Sequence, residues 1–183
     1  MVEKILINEF IKDRNVGAIM ATSDHVTKKM LNKIDFHNAN VIVEYGSGKG
    51  VITKHLLSQM REDATLFVFE TNEQFIKDLS KINDQRLIII NSDAEKALII
   101  LKNEHQTEEV DYIISTIPFT FMDRRKRKRT IFKSYTLLKE KGKFITYQYS
   151  WIIYHLIKSR FSESNIKIRL FNIPPVFIIV GTK

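Results

Sequence analysis

The chain has 183 residues, 44% of them hydrophobic and 10% aromatic, and carries 29 Lys and Arg against 21 Asp and Glu, a net charge of +8. That length favours one domain with a substantial core and argues against intrinsic disorder, while the absence of cysteine excludes a disulfide framework, a thiolate metal site and cysteine nucleophilic catalysis. No apolar run reaches the roughly 18 residues of a membrane-spanning helix, and the N-terminus MVEKILINEF is a poor signal peptide, so a cytoplasmic address is expected.

In chain order, hydrophobic periodicity predicts two helices, about Glu3 to Lys12 and Ser23 to Ile34, divided by the turn-like Asn15-Val16-Gly17. Short apolar strands and amphipathic helices then alternate. A strand Val41 to Tyr45 precedes a turn with Gly46, Gly48 and Gly50 and a helix over Val51 to Met60. A strand Thr65 to Glu70 is followed by a helix over Asn72 to Ile82, and a strand Leu87 to Asn91 by a helix from Ala94 to about Asn103, capped by Ser92 or Asp93. Val110 to Ser115 is the fourth strand. A helix over Thr130 to Leu138 starts within a basic run and ends at Lys141-Gly142. A strand Lys143 to Tyr149, a helix Trp151 to Phe161 and strands Ile166 to Phe171 and Val176 to Val180 complete the chain. The last two strands, joined by Asn172-Ile173-Pro174-Pro175, should be antiparallel neighbours. The alternation predicts an α/β fold around a mainly parallel sheet, with no room for a second domain.

Charge is unevenly spread. Residues 34–123 carry eight positive and fifteen negative charges, whereas residues 124–138 carry seven positive and none negative. Six of those seven are consecutive, Arg124, Arg125, Lys126, Arg127, Lys128 and Arg129. Such asymmetry suggests one end meeting an anionic partner, with a solvated loop as the bland alternative.

The glycine turn sits directly between a strand and a helix, where glycine permits positive φ and close approach of a nucleotide-like ligand to the backbone. It lacks the spacing of a phosphate-binding P-loop. Two acids stand at the same sheet edge: Glu70 ends the second strand some 20 residues after the last glycine, and Asp93 follows the third. A carboxylate at the first position can accept ribose hydroxyls, and one at the second lies within reach of an adenine amino group. Each also reads as a helix cap.

These segments resemble the class I S-adenosylmethionine-dependent methyltransferases: V-E-Y-G-S-G-K-G at 43–50 is similar to their first motif, F-V-F-E at 67–70 to their second and N-S-D-A at 91–94 to their third. The resemblance implies a Rossmann-like seven-stranded sheet of order 3-2-1-4-5-7-6, strand 7 antiparallel, with helices on both faces. It implies S-adenosyl-L-methionine as cofactor, with Glu44 at its methionine end, Gly46 and Gly48 at the close backbone approach, Glu70 at the ribose and Asp93 at the adenine. Ser47, Thr71, Ala94 and Ser115 complete the implied cofactor set, and no metal is expected. Residues 1–35 would then be a helical cap on a catalytic core of residues 36–183.

Four further segments resemble the bacterial phospholipid N-methyltransferases. Val16-Gly17-Ala18-Ile19 with Thr22-Ser23 is similar to V-G-A-V-x-P-S-S, and Ser115-Thr116-Ile117-Pro118-Phe119 to S-G-L-P-F. Gln148 and Tyr149 fall on the T-Y of Q-F-T-Y, and Asn172 to Pro175 resembles N-[LV]-P-P. Ala21 and Thr116 depart from that pattern. The resemblance implies attack of a neutral lipid amine on the cofactor's methyl group at the inner face of the cytoplasmic membrane, with an anionic lipid surface as partner. Tyr147 or Tyr149 would hydrogen-bond the amine, and His25 would act as base, unless it is a plain helix-surface imidazole. Phe119, Tyr149 and Trp151 would receive the methylammonium by cation–π contact, unless they are core aromatics. The apolar stripe Val2, Ile5, Leu6, Phe10 and Ile11 reads equally as an interfacial helix or as one packed on the sheet.

RNA is the alternative partner. Ribosomal RNA adenine dimethyltransferases share the fold and carry N-[IL]-P-[FY] near the fourth strand, but here Thr116 precedes Ile117-Pro118-Phe119 and cannot pair as an asparagine carboxamide does. No additional helical RNA-binding domain is expected after the final hairpin. A non-enzymatic module binding anionic surfaces is a third reading, which leaves Glu44, Glu70 and Asp93 unexplained.

Overall fold

In the computed structural model, which describes residues 24–169 and 176–183, the strands make one seven-stranded sheet. They are β1 (Val41–Tyr45), β2 (Thr65–Glu70), β3 (Leu87–Asn91), β4 (Val110–Ser115), β5 (Leu138–Gln148), β6 (Glu163–Arg169) and β7 (Val176–Thr182). Their order is β3-β2-β1-β4-β5-β7-β6, as the resemblance implied. Neighbours from β3 through β5 run parallel, and β7 is antiparallel to both β5 and β6.

Two cores follow from the two-residue repeat of the strands, one on each face of the sheet. Ile42, Leu66, Val68, Ile114 and Ile145 pack under α1 (Asp24–Leu31), α2 (Val51–Leu57) and α3 (Glu73–Leu79), meeting Val26, Met30, Ile52, Leu56 and Leu79. Val43, Phe67, Phe69, Ile113 and Phe144 turn the other way, toward α4 (Ala97–Glu104), α5 (Arg124–Leu137) and α6 (Tyr154–Lys158), meeting Leu101, Ile131, Leu137 and Ile157. Each fully buried side chain of this size stabilises the fold by about 1.5–3 kcal/mol relative to exposure. β1 lies at the point where the winding reverses, between β2 and β4. The turns leaving β1, β2, β3 and β4 therefore gather at one edge, where open α/β sheets bind ligands.

Several element bounds differ from expectation. α2, α3 and α6 are shorter than their periodic stretches, and the helix expected from Ala94 is a 3-10 turn, Ala94–Lys96, followed by α4. β6 starts at Glu163 rather than Ile166. α5 begins at Arg124, the first residue of the basic run in which its start was expected, because Asp123 caps it by accepting from the Arg125 and Lys126 N–H groups at 2.9 Å each. Lys141-Gly142 does not end that helix. The chain passes straight from Leu137 into β5, and Lys141 takes a φ of +64° inside the strand, where the register with β4 jumps from Val110 opposite Leu138 to Tyr112 opposite Lys143. A Cβ on Gly142 would stand 2.8 Å from the Lys139 carbonyl oxygen, so this irregularity needs glycine.

No helix among the described residues is long and apolar enough to cross a membrane. The expected helix Glu3 to Lys12 with its apolar stripe, the Asn15-Val16-Gly17 turn, the Val16 to Ser23 segment, the end of the sixth strand at Leu170-Phe171 and the Asn172 to Pro175 loop lie outside the described residues.

Candidate active site

β1 hands over to α2 through Gly46, Ser47, Gly48, Lys49 and Gly50. The Gly46 N–H donates to the Phe69 carbonyl at 2.9 Å and the Thr116 N–H to the Tyr45 carbonyl at 3.0 Å, which ties the ends of β1, β2 and β4 together. Gly46 has a φ of +74°, and a Cβ there would lie 2.6 Å from Ile117 Cγ2, so side chains are excluded on two grounds. Around Gly48 the space is open: a Cβ at that position would meet nothing within 4 Å. A ligand can therefore lie against this backbone.

Beside the turn is a cleft of about 380 Å³. Gly46, Glu70, Thr71, Asp93 and Ala94, all expected cofactor residues, line it together with Ile117, Phe121 and Lys126. Glu70 is 8% exposed, and its carboxylate organises the turn: Oε2 accepts from the Gly48 N–H at 3.1 Å, and Oε1 from the Thr71 and Asn72 N–H groups at 2.8 and 2.9 Å. Three of its roughly four acceptor positions are filled, which leaves one for a hydroxyl in the cleft. The capping role and a ligand role are thus compatible. Asp93 also caps, accepting from the Glu95 N–H at 2.9 Å, and its other oxygen pairs with the Lys126 ammonium. Burial alone raises the Asp93 carboxyl, but Lys126 and the Glu95 N–H outweigh it and hold the group below the usual carboxylate range.

Glu44 is fully buried at the end of β1. The Thr53 hydroxyl donates to its Oε2 at 2.7 Å, and Oε1 has no partner. Burial pushes its carboxyl up to about 7, Thr53 opposes the rise and the charge of Glu70 adds to it. Ser47 Oγ in the turn and Ser115 Oγ at the end of β4 are likewise buried without partners. An unmade buried hydrogen bond costs about 1–3 kcal/mol, so these atoms suit a polar ligand at the sheet edge. The open backbone at Gly48, the acids along the cleft and the unpartnered atoms around the turn fit an adenosine-bearing cofactor with an amino-acid tail.

The residues expected on the acceptor side are placed less evenly. Phe119 is a correction: its ring is fully buried in the α4–α6 core, 6.2 Å from Phe144, and presents no face to a substrate. Phe121, half exposed, is the aromatic that lines the cleft. The two differ because the 3-10 turn Phe119–Phe121 turns one inward and the other out, a distinction no short periodicity reveals. Tyr147 is 3% exposed and packs edge-on against the half-buried Tyr149 at 6.2 Å, on the α1–α3 side. Burial raises the Tyr149 phenol. His25 belongs to α1, and its side chain lies outside the described residues.

Gln148 carries more of the site than its place in a motif suggested. Its Nε2 donates to the Ile117 carbonyl at 2.9 Å and to Thr146 Oγ1 at 3.0 Å, and its Oε1 accepts from the Phe119 N–H at 3.2 Å. The buried carboxamide thereby clamps the Ile117-Pro118-Phe119 turn onto β5. The Thr116 hydroxyl donates to the Gly46 carbonyl, which locks the same turn to the glycine loop. Among the described residues no cluster of His, Asp and Glu could hold a metal ion.

Comparison with known proteins agrees with this geometry. Residues 12–123 match the family model described as ribosomal RNA adenine dimethylase. An ornithine lipid N-methyltransferase from Singulisphaera acidiphila is 23% identical over 176 residues, which span 93% of this chain and 91% of that protein. Two solved structures share the fold at 10% identity. The 1,6-didemethyltoxoflavin-N1-methyltransferase of Burkholderia thailandensis, solved with S-adenosylhomocysteine, has a TM-score of 0.71 and covers 100% of this chain and 87% of its own. The N-methyltransferase NodS of Bradyrhizobium japonicum, also with S-adenosylhomocysteine, has a TM-score of 0.68 and covers 89% and 88%.

Proposed function

The chain belongs to the ribosomal RNA adenine dimethylase family, and within that fold we propose that its acceptor is a membrane-lipid amine such as phosphatidylethanolamine. It is an S-adenosyl-L-methionine-dependent methyltransferase. When bound, the cofactor supplies an electrophilic methyl group on a sulfonium. Glu70 would accept from a ribose hydroxyl, Asp93 would meet the adenine amino group, and Glu44 with Ser47 the amino-acid end, while Thr71, Ala94 and Ser115 border them.

The observation that carries the choice of acceptor is Thr116. Its hydroxyl is spent on the Gly46 carbonyl, at the position where adenine dimethyltransferases place a carboxamide. A side chain bonded inward in this way is poorly suited to hold an adenine amino group. The lipid enzyme of Singulisphaera acidiphila, matched along nearly the whole chain, supports the same reading. RNA remains the second reading, on the family's described substrate and the basic run.

A primary alkylamine is protonated at neutral pH, with a pKa near the lysine value of about 10.4, so the site must favour its neutral form. The half-buried Tyr149 phenol would accept a hydrogen bond from the amine and aim its lone pair, backed by Tyr147. Methylation of the nitrogen would require a proton to leave it, and the His25 imidazole or water would take that proton. The cation–π contact falls to Tyr149 and the half-exposed Trp151, since Phe119 is withdrawn into the core. Orientation of this kind supplies about 7–11 kcal/mol at most in well-aligned systems. Incubation with methyl-labelled cofactor and a mixture of phosphatidylethanolamine vesicles and ribosomal RNA is the test. Label should appear in the lipid, and label confined to RNA would reverse the assignment.

A further inference from the structure

The six consecutive cations are the opening turns of α5, and the helix sorts them into two sets. Lys126 pairs with Asp93, Arg129 forks onto the two oxygens of Glu95 at 2.7 and 3.2 Å, and Arg127 donates to the Phe119 and Met122 carbonyls at 2.9 Å each. Arg124, Arg125 and Lys128 are exposed, and among the described residues none of the three has an ion-pair partner. Arg124, Lys128 and Phe132 follow at four-residue spacing along one face of the helix. Phe132 is 47% exposed, and Phe121, 50% exposed, stands in the 3-10 turn just ahead of the helix.

This outward set is unfavourable for the isolated protein. Like charges four apart, as in Arg124 and Lys128, destabilise a helix, and cations in its first turn oppose the positive end of the helix dipole. Of the inward cations, Lys126 and Arg129 are paired with Asp93 and Glu95 and Arg127 is bonded to carbonyls, whereas the outward three form no ion pair among the described residues. We infer that the outward face of α5, flanked by Phe121 and Phe132, docks the protein on an anionic lipid surface. The inference rests on the lipid-amine reading above and adds the side of the molecule that meets the bilayer.

Two features favour a lipid surface over a nucleic acid. The Arg160 guanidinium lies 4.3 Å from the Phe132 ring centroid and covers one of the two ring faces on which a base would stack. Exposed Phe interleaved with Arg and Lys is instead the composition of an interfacial helix. Phe121 also lines the cofactor cleft, so docking would bring the anionic surface to its rim.

The test measures sedimentation with vesicles of phosphatidylcholine alone or mixed with phosphatidylglycerol, for the wild-type protein, for R124Q/R125Q/K128Q, and for K54Q/K77Q/K102Q, which removes equal charge from other exposed sites. Cofactor affinity serves as the check on folding. Wild-type binding should require phosphatidylglycerol, and the α5 variant should lose about a hundredfold in partition, about fivefold per cation, with its cofactor affinity kept. The control variant should lose far less. Equal losses in the two variants, undiminished binding in the α5 variant, or α5-dependent binding to ribosomal RNA without binding to vesicles would each overturn the inference. Methylation of dispersed short-chain phosphatidylethanolamine, which needs no docking, separates the two proposals. If that amine is methylated while α5 proves irrelevant to vesicles, only the docking face fails. If it is untouched while vesicle binding depends on α5, only the lipid-amine reading fails.

Discussion

Glu44 has one carboxylate oxygen bonded to Thr53, the other bonded to nothing, and a carboxyl that burial has pushed to about 7. Its value in the unfolded chain is near 4.5, so between these limits the folded protein holds the extra proton. Stability contributed by this group is therefore present below about pH 4.5, falls as pH rises to 7 and is flat beyond, a loss of about 3 kcal/mol. Glu44→Gln should abolish that slope in thermal unfolding between pH 5 and 8, and parallel slopes in both proteins would refute the raised carboxyl. The cofactor's amino-acid ammonium would favour the ionised form, so wild-type cofactor affinity should also climb through pH 7 and stay level in the variant. The two acids of the cleft were legible in the sequence because each ends or follows a strand at a fixed distance from the glycine turn. Lys126, Gln148 and Phe121 were not. Lys126 reaches Asp93 across 33 residues of chain, Gln148 accepts from the Phe119 N–H of a turn 29 residues away, and the direction of Phe121 depends on a single short turn.

At the scale of elements, α5 shows what periodicity leaves out. Six cations at a helix N-terminus argue against starting there, since they face the positive end of the dipole. Asp123 reverses the balance by accepting two N–H groups, and the Lys126 and Arg125 N–H groups hold its carboxyl below the usual range. Asp123→Ala should destabilise the protein by about 1 kcal/mol or somewhat more in urea denaturation, and Asp123→Asn, which keeps the acceptor, should recover most of the loss. An unchanged midpoint for Asp123→Ala would mean that the packing of Ile131 and Leu137 alone fixes the helix. The strand order was readable through the resemblance to the class I methyltransferases, whose order the βα alternation and the closing hairpin suit. The start of β5 was not, because its first residues, L-K-E-K-G, are mostly polar and the irregularity at Lys141-Gly142 breaks the two-residue repeat.

Across the whole molecule, the net charge of +8 conceals an acidic segment, residues 34–123, that holds the glycine turn and the cleft acids, and a basic portion from residue 124 onward that begins with α5. α5 is the link: its inward cations neutralise Asp93 and Glu95 beside the cleft, and its outward cations face solvent. Cofactor chemistry and the proposed lipid surface therefore meet along one helix. The most direct measurement of the central claim is mass spectrometry of lipids and ribosomal RNA from cells rich in phosphatidylethanolamine that express the chain, compared with cells expressing a Glu70→Ala and Asp93→Ala variant. The account predicts phosphatidylethanolamine species heavier by one or more methyl groups only with the wild-type chain. Unaltered lipids together with newly methylated adenine in ribosomal RNA would contradict it.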